Sequence, residues 1–293
     1  MYMGQAKKLT GPGEKIYNRS KNKRQGKMRW LNIGCGICFH PGWENIDLRP
    51  CSPHVKRVDI RKGLPYSGET FDAVYSSHLL EHLSPAQTSD LLNEMKRILK
   101  KEGIIRIVVP DLEAIARIYL EKLEASINNI PGAEADYDWM LMELLDQTTR
   151  TSRGGEMLKF LVKKDLNNKD FIRSRIGQEA EQYWKAESQG QQERPGRKKK
   201  NLLKSLVKNV VKWFLGKEGA AAFEEVLLRN SGEVHRWMYD RFSLKRRLER
   251  SGFKEVRVCR ADESRIYNFN SFELDVRAGK IRKPDSLFME GKK

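Results

Sequence analysis

The sequence predicts an α/β fold: a doubly wound, mostly parallel sheet of seven strands carrying a large helical insertion. Three observations predict it. Short apolar, β-branched runs bounded by turn residues recur up to Asp111, a well-punctuated helix separates two of them, and a further helix and strand follow near the C-terminus. Between about residues 124 and 232 the spacing is helical without a convincing strand, a stretch too long to be a loop.

Trp30, Leu31 and Ile33 read as a short buried strand, and Gly34-Cys35-Gly36 as a turn leading to a second strand, Trp43 to Asp47. A glycine turn at the carboxyl end of a first parallel strand lets backbone approach a ligand, so a nucleotide cofactor is expected there. Asp47 is placed to accept from two ribose hydroxyls. Val55 to Ile60 reads as a third strand carrying Asp59, and Phe71 to Ser77 as a fourth. Ser84-Pro85 starts a helix as N-cap and first helical residue, with Leu91, Leu92, Met95, Ile98 and Leu99 at helical spacing and Gly103 as its end. Ile104 to Val109 is nearly all apolar, as a central parallel strand is, and Pro110-Asp111 stops it. Leu112 to about Leu123 is helical. Beyond the insertion, Ser243 is expected to cap a helix ending at Gly252, with a sixth strand at Phe253 to Arg260, a seventh at Phe272 to Arg277, and a short basic tail.

The 293 residues, 39% of them hydrophobic, suffice for a sizeable core. No run of about 18 apolar residues and no signal-peptide core occur, so a soluble, cytoplasmic protein with its four cysteines as thiols is expected. The net charge of +17 is concentrated: residues 1–29 hold nine Lys/Arg against Glu14, and residues 193–217 nine against Glu193. Residues 1–27 read as a flexible basic arm and 28–293 as the folded domain. Two basic segments on a nearly neutral body suit accessory contacts with a polyanion or an anionic surface, and they equally read as solvated runs. In Leu202 to Leu215, Lys204, Lys208 and Lys212 share one helical face and most of the apolar side chains fill the other, behind Arg197-Lys198-Lys199-Lys200. Residues 198–215 therefore read either as an interfacial helix, peripheral at an anionic inner membrane, or as a helix packed on the insertion.

The ordered set LNIGCG, Asp47, VDI with Asp59, FDAVYSSHLLEHL, a capped helix and GIIRIVVPD resembles class I S-adenosylmethionine-dependent methyltransferases of the type 11 group. The resemblance is strong from Trp30 to Asp111 and weaker from Glu233 to Arg277. Through HRWMYDRFSL it extends to predicted bacterial polysaccharide-associated methyltransferases. It implies a Rossmann-like methyltransferase fold with S-adenosyl-L-methionine as cofactor. Gly34, Cys35 and Gly36 would line the methionine moiety and Asp47 the ribose. Asp59 with Ile60 would read the adenine amine, and Ser77 with His78 would flank the sulfonium. Asn32 stands where the family usually has an acid near the methionine ammonium, and Cys38 replaces a common third glycine. The implied activity is O-methylation of a small molecule: a sugar, a polysaccharide or a lipid-linked glycan precursor.

A hydroxyl acceptor must lose its proton, and histidine suits that exchange. His82, Asp111 and His235 are the candidate catalytic residues, each of which also reads as a packed or capping side chain. If the segment from His78 is helical, His78 and His82 share a face across Glu81. A nicotinamide cofactor would want a third glycine and an acid about 20 residues onward, and Asp47 comes too early. Cys35, Cys38, Cys51 and His54 have a zinc-like C-x2-C-x12-C-x2-H spacing. Two of them sit in the cofactor turn, so they read as thiols and no metal is assigned. Glu143, Asp146 and Arg150 share a helical face beside Arg153-Gly154-Gly155-Glu156 and read either as hydrogen-bonding groups for a hydroxyl-rich substrate or, by default, as solvated charge. An RNA methyltransferase is the second reading, although SSHLLEH is not the Asn-Pro-Pro-Tyr type of loop used on base amines. A non-catalytic methyltransferase-like binding protein is the third, supported by Asn32 alone.

Overall fold

The structure is a computed structural model that describes residues 28–163, 165–188 and 202–293. The basic arm at 1–27 and the basic run at 194–200 lie outside the described residues. Seven strands form the main sheet: β1 Trp30–Ile33, β2 Glu44–Asp47, β3 Val55–Arg57, β4 Phe71–Ser77, β5 Leu99–Pro110, β6 Lys254–Cys259 and, last in the chain, β9 Ser286–Lys292. Their order is β3-β2-β1-β4-β5-β9-β6, with β9 antiparallel to both neighbours and the other pairings parallel. This is the expected mostly parallel α/β sheet.

The helices are α1 Pro85–Ile98, α2 Leu112–Ile127, α3 Ala133–Thr149, α4 Gly155–Leu161, α5 Lys169–Ile176, α6 Gln178–Ser188, α7 Leu202–Arg229 and α8 Arg241–Arg250. One face of the sheet packs Leu31, Ile33, Val74, Ile105 and Ile107 against Leu91, Leu92, Met95 and Ile98 of α1 and Leu244 and Leu248 of α8. The other face packs Tyr75, Val108 and Phe288 against Ile266, Phe269 and Leu274 from the segment after β6. Trp139, Met140, Phe160, Leu161, Ile172 and Ile176 give the helical insertion a core of its own.

Ser84 caps α1 in a capping box with Gln87, and Pro85 opens the helix as expected. Several boundaries differ from the sequence reading. The third strand stops at Arg57, because Asp59 caps a 3-10 turn at Ile60–Lys62. Helix α1 ends at Ile98 rather than Gly103. Leu99 already pairs with Phe71, and Gly103 lies inside β5 beside a register shift. Asp240, not Ser243, caps α8, and Ser243 returns the bond as the third residue of a capping box.

The largest correction concerns the seventh strand. Phe269–Phe272 is a 3-10 turn, and β7, Val276–Arg277, pairs only with β8, Lys280–Ile281, in a small separate hairpin. The missing strand is β9, in the stretch read as a basic tail. Its sequence, SLFMEGK, carries a charge and a glycine inside an apolar run, which hides it. Glu290 is nevertheless wholly buried, because Arg106 of β5 donates to it at 2.9 Å. Arg106 also donates to Asp275 at 2.7 Å, and the Tyr75 hydroxyl donates to the same carboxylate at 2.5 Å. A charge in mid-sheet is tolerated only when it is paired in this way.

Candidate functional site

The turn after β1 is stitched to the end of β2. The amides of Gly34 and Cys35 donate to the Ile46 carbonyl at 2.9 and 3.3 Å. The Asp47 carboxylate accepts from the Gly36 amide at 2.9 Å and from the Arg49 amide at 2.7 Å, while the Cys51 thiol donates to the Gly36 carbonyl at 3.0 Å. Gly34 and Gly36 have φ of 67° and 51°, left-handed values that suit glycine. A Cβ on Gly34 would come within 2.9 Å of the Leu79 side chain, whereas Gly36 faces open space. Asn32 is buried beneath the turn and donates to the Cys38 carbonyl at 3.0 Å, leaving its own carbonyl oxygen without a partner. The chain thus makes an open turn, its amides already bonded within it, with a carboxylate at its rim whose remaining lone pairs fit ribose hydroxyls. Cys35 is buried, and burial pushes its thiol up to about 12.

Asp59 is engaged locally. Its carboxylate takes both guanidinium contacts of Arg61 at 2.8 Å, which, despite burial acting the other way, hold it near about 2. Ile60 follows it in the 3-10 turn. Ser77 ends β4, and His78 leaves it with φ of 51°, an uncommon conformation for a non-glycine residue that turns the chain sharply.

A cavity of about 280 Å³ opens beyond His78, between the strand ends and the insertion, lined by Glu81, His82, Arg150, His235, Lys283 and Asp285 among others. His78 and His82 do not share a helix face, because only Leu80–His82 forms a 3-10 turn; both still line this cavity. His78 meets Ser286 Oγ through Nε2 at 2.8 Å and lies 3.3 Å from Glu81 Oε1 through Nδ1. Glu81 is wholly buried, which pushes its carboxyl up; the neighbouring His78, His82 and His235 outweigh this and leave it at about 2. The rings of His82 and His235 meet edge to face at 4.8 Å. Burial pushes His235 down to about 3, so it is neutral near pH 7.

Of the three candidate catalytic residues, the structure brings His82 and His235 together and sets Asp111 apart. Asp111 caps α2, accepting from the Glu113 and Ala114 amides at 3.0 and 3.2 Å. A carboxylate spent on two helix amides is a capping group. Glu143 and Asp146 are buried rather than solvated: Glu143 pairs with Arg175 at 2.6 Å, and Asp146 pairs with Arg150 and takes the Glu156 amide. The zinc-like spacing gathers no site. Cys51 turns to Gly36 and Cys38 to Arg282 and the Leu274 carbonyl.

Lys283, Asp285 and Ser286 were not legible as site residues. They precede or begin the unrecognised strand β9, and no local pattern marks them. Glu81 stood between the two histidines without an assigned role, and its complete burial is visible only in the fold.

Residues 44–107 match a family model described as a methyltransferase domain. No curated protein matches the chain. Among solved structures, the chain is similar to an S-adenosylmethionine-dependent methyltransferase from Archaeoglobus fulgidus, at 15% identity over 92% of this chain and 87% of that one, with a TM-score of 0.37. It is also similar to a possible histamine N-methyltransferase from Thermotoga maritima, at 11% identity over 90% and 82% of the two chains, with a TM-score of 0.35. The family match runs from β2 into β5 and includes Asp47 and His78.

Proposed function

We propose that this protein is an O-methyltransferase acting on a hydroxyl-rich acceptor, a sugar or a lipid-linked glycan precursor. The observation that carries the proposal is the adjacency of two unlike sites: the glycine cradle rimmed by Asp47, and a cavity lined by histidines and paired charges just past His78. S-adenosylmethionine, when bound, supplies an electrophilic methyl group. Gly34, Cys35 and Gly36 hold its amino-acid end, Asp47 its ribose, and Asp59 and Ile60 its adenine. Asn32 supports this contact from below, and Ser77 and His78 border the reacting end.

The protein's work is then to hold the acceptor in line and to take its proton. His82, half-buried at the cavity and in contact with His235, is the residue in our reading that receives that proton. His235 is too deeply buried to charge readily and serves as its packed neighbour. Arg150, Gln147 and Asp285 line the same cavity and offer the directed hydrogen bonds that a sugar needs.

Val210, Trp213, Phe214 and Leu215 are exposed on α7, Trp213 to 79%. Large aromatic and aliphatic groups beside Lys212 and Lys217 favour a lipid-facing role, and hence a lipid-linked acceptor. No helix among the described residues is long and apolar enough to cross a membrane. The RNA reading has weaker support, because among the described residues no row of aromatic rings on which bases could stack lines the cavity.

The test is calorimetric titration of S-adenosylmethionine and S-adenosylhomocysteine into the wild type and Asp47→Ala. Binding that Asp47→Ala abolishes supports the reading. No binding to folded wild-type protein overturns it.

A further inference from the structure

We infer that Glu81, His82 and His235 form a binding site for a divalent first-row transition ion of the zinc type. Each offers one ligand atom, and these atoms all lie within 4.8 Å of one another. Among the described residues no other group of histidine, cysteine, aspartate and glutamate side chains comes together in this way. Two imidazoles and a carboxylate are a donor set that such ions take, with a position left open.

The donors are otherwise unspent. Glu81 is wholly buried: its Oε1 faces only His78 Nδ1 at 3.3 Å and its Oε2 has no hydrogen-bond partner, nor has the buried Nδ1 of His235. A fully buried carboxylate with an oxygen left unpartnered is costly, and a cation removes that cost. Ligands at about 2.1 Å from a tetrahedral ion stand about 3.4 Å apart, so binding requires the farthest pair to close by roughly 1.4 Å.

The scaffold suits a site made from two distant segments. The Glu81 carbonyl accepts from the amides of Arg236 at 2.7 Å and Trp237 at 3.1 Å, tying the turn after β4 to the segment that carries His235. The His235 amide donates to the Gln147 carbonyl of α3 at 2.8 Å. His82 Nδ1 lies 3.4 Å from the Val234 carbonyl, which directs its other nitrogen away as the donor lone pair. His78 stands against Glu81 Oε1, and Ser286 holds the far side of the His78 ring. A histidine bonded to the outer edge of a ligating carboxylate is the usual second layer of such sites.

The ion would face the cavity described above, where it could acidify a bound hydroxyl in place of direct proton uptake by His82. That role rests on the methyltransferase reading; the binding itself does not.

The experiment is a titration of chelator-treated, tag-free full-length protein with Co2+, without S-adenosylmethionine, read by visible absorption. The expected result is saturable ligand-field bands at one ion per chain, displaced by Zn2+ and not by Mg2+. In His235→Ala and His82→Ala affinity should fall by roughly 100-fold, with thermal unfolding near wild type. Should either variant fail to fold, Co2+-induced paramagnetic shifts of the His82 and His235 imidazole resonances in the wild type provide the same readout. The inference is overturned by absence of bands with folded protein, by bands unchanged in both variants, or by near-ultraviolet thiolate charge transfer, which would place the ion on cysteines. Because no cofactor is present, these outcomes are independent of whether S-adenosylmethionine binds.

Discussion

The Gly36 amide donates to Asp47 Oδ2 at 2.9 Å, so the glycine turn after β1 and the acid that ends β2 form one rigid unit. Asp47→Asn keeps an acceptor but removes the charge that strengthens bonds from ribose hydroxyls. Losing hydrogen bonds to a charged group costs about 1.5–3 kcal/mol, so S-adenosylmethionine affinity should fall roughly 10- to 100-fold, measured by calorimetry. An unchanged affinity would place the ribose elsewhere.

Gly34 and Gly36 should respond differently to alanine. Both have left-handed φ, but only Gly34 has Leu79 within 2.9 Å of the added carbon. Gly36→Ala should cost about 1–2 kcal/mol in urea unfolding, from the backbone alone. Gly34→Ala should cost more, and Leu79→Ala in the same chain should restore only the steric part. Equal costs for the two substitutions would refute the contact with Leu79.

Arg106 is the centre of a buried ion cluster with Asp275 and Glu290. Arg106→Met leaves two buried carboxylates without their cation and should destabilise the protein by about 3–5 kcal/mol, measured by denaturant unfolding. Replacing Asp275 and Glu290 by Asn and Gln in that background should recover part of the loss. If the triple variant is no better than the single one, the cost lies in packing and not in unpaired charge.

Glu94 gives a stability term with a defined pH window. Bonds from Arg97 and the Leu64 amide, against the effect of burial, hold its carboxyl at about 2, below the ordinary 4.5. The folded state therefore favours the charged form. The contribution is complete above about pH 4.5 and is lost as pH falls toward 2. The stability gap between wild type and Glu94→Gln, followed by urea unfolding, should shrink across that window. A gap independent of pH would mean that the contribution is not ionic.

Thiol chemistry should separate the four cysteines. Burial pushes Cys35 up to about 12 and Cys259 to about 11, so neither supplies much thiolate near pH 8, and both are buried. Cys51 is exposed. Iodoacetamide followed by peptide mass spectrometry should label Cys51 first, with Cys35 and Cys259 modified only on unfolding. Early labelling of Cys35 would show that the turn opens in solution.

The parallel half of the sheet was readable because its determinants are local. Apolar runs, the Ser84-Pro85 start and the glycines of the first turn each act within a few residues, and Asp47 follows from the strand that it ends. The same locality explains the errors at boundaries, where Asp240 and Ser243 compete for one cap and Leu99 is claimed by both a helix and a strand. Strand β9 was not readable, because Glu290 looks like a surface charge until Arg106, 184 residues earlier, is placed beside it. The site divides in the same way. The sequence alone determined the glycine turn after β1 and the presence of histidines after β4. Only the tertiary structure decided that Asp111 is a cap, that Glu81 is wholly buried against His78, and that His235 meets His82 across 152 intervening positions of chain. Pairing between distant segments depends on which surfaces are buried together, and one-dimensional periodicity carries no record of that.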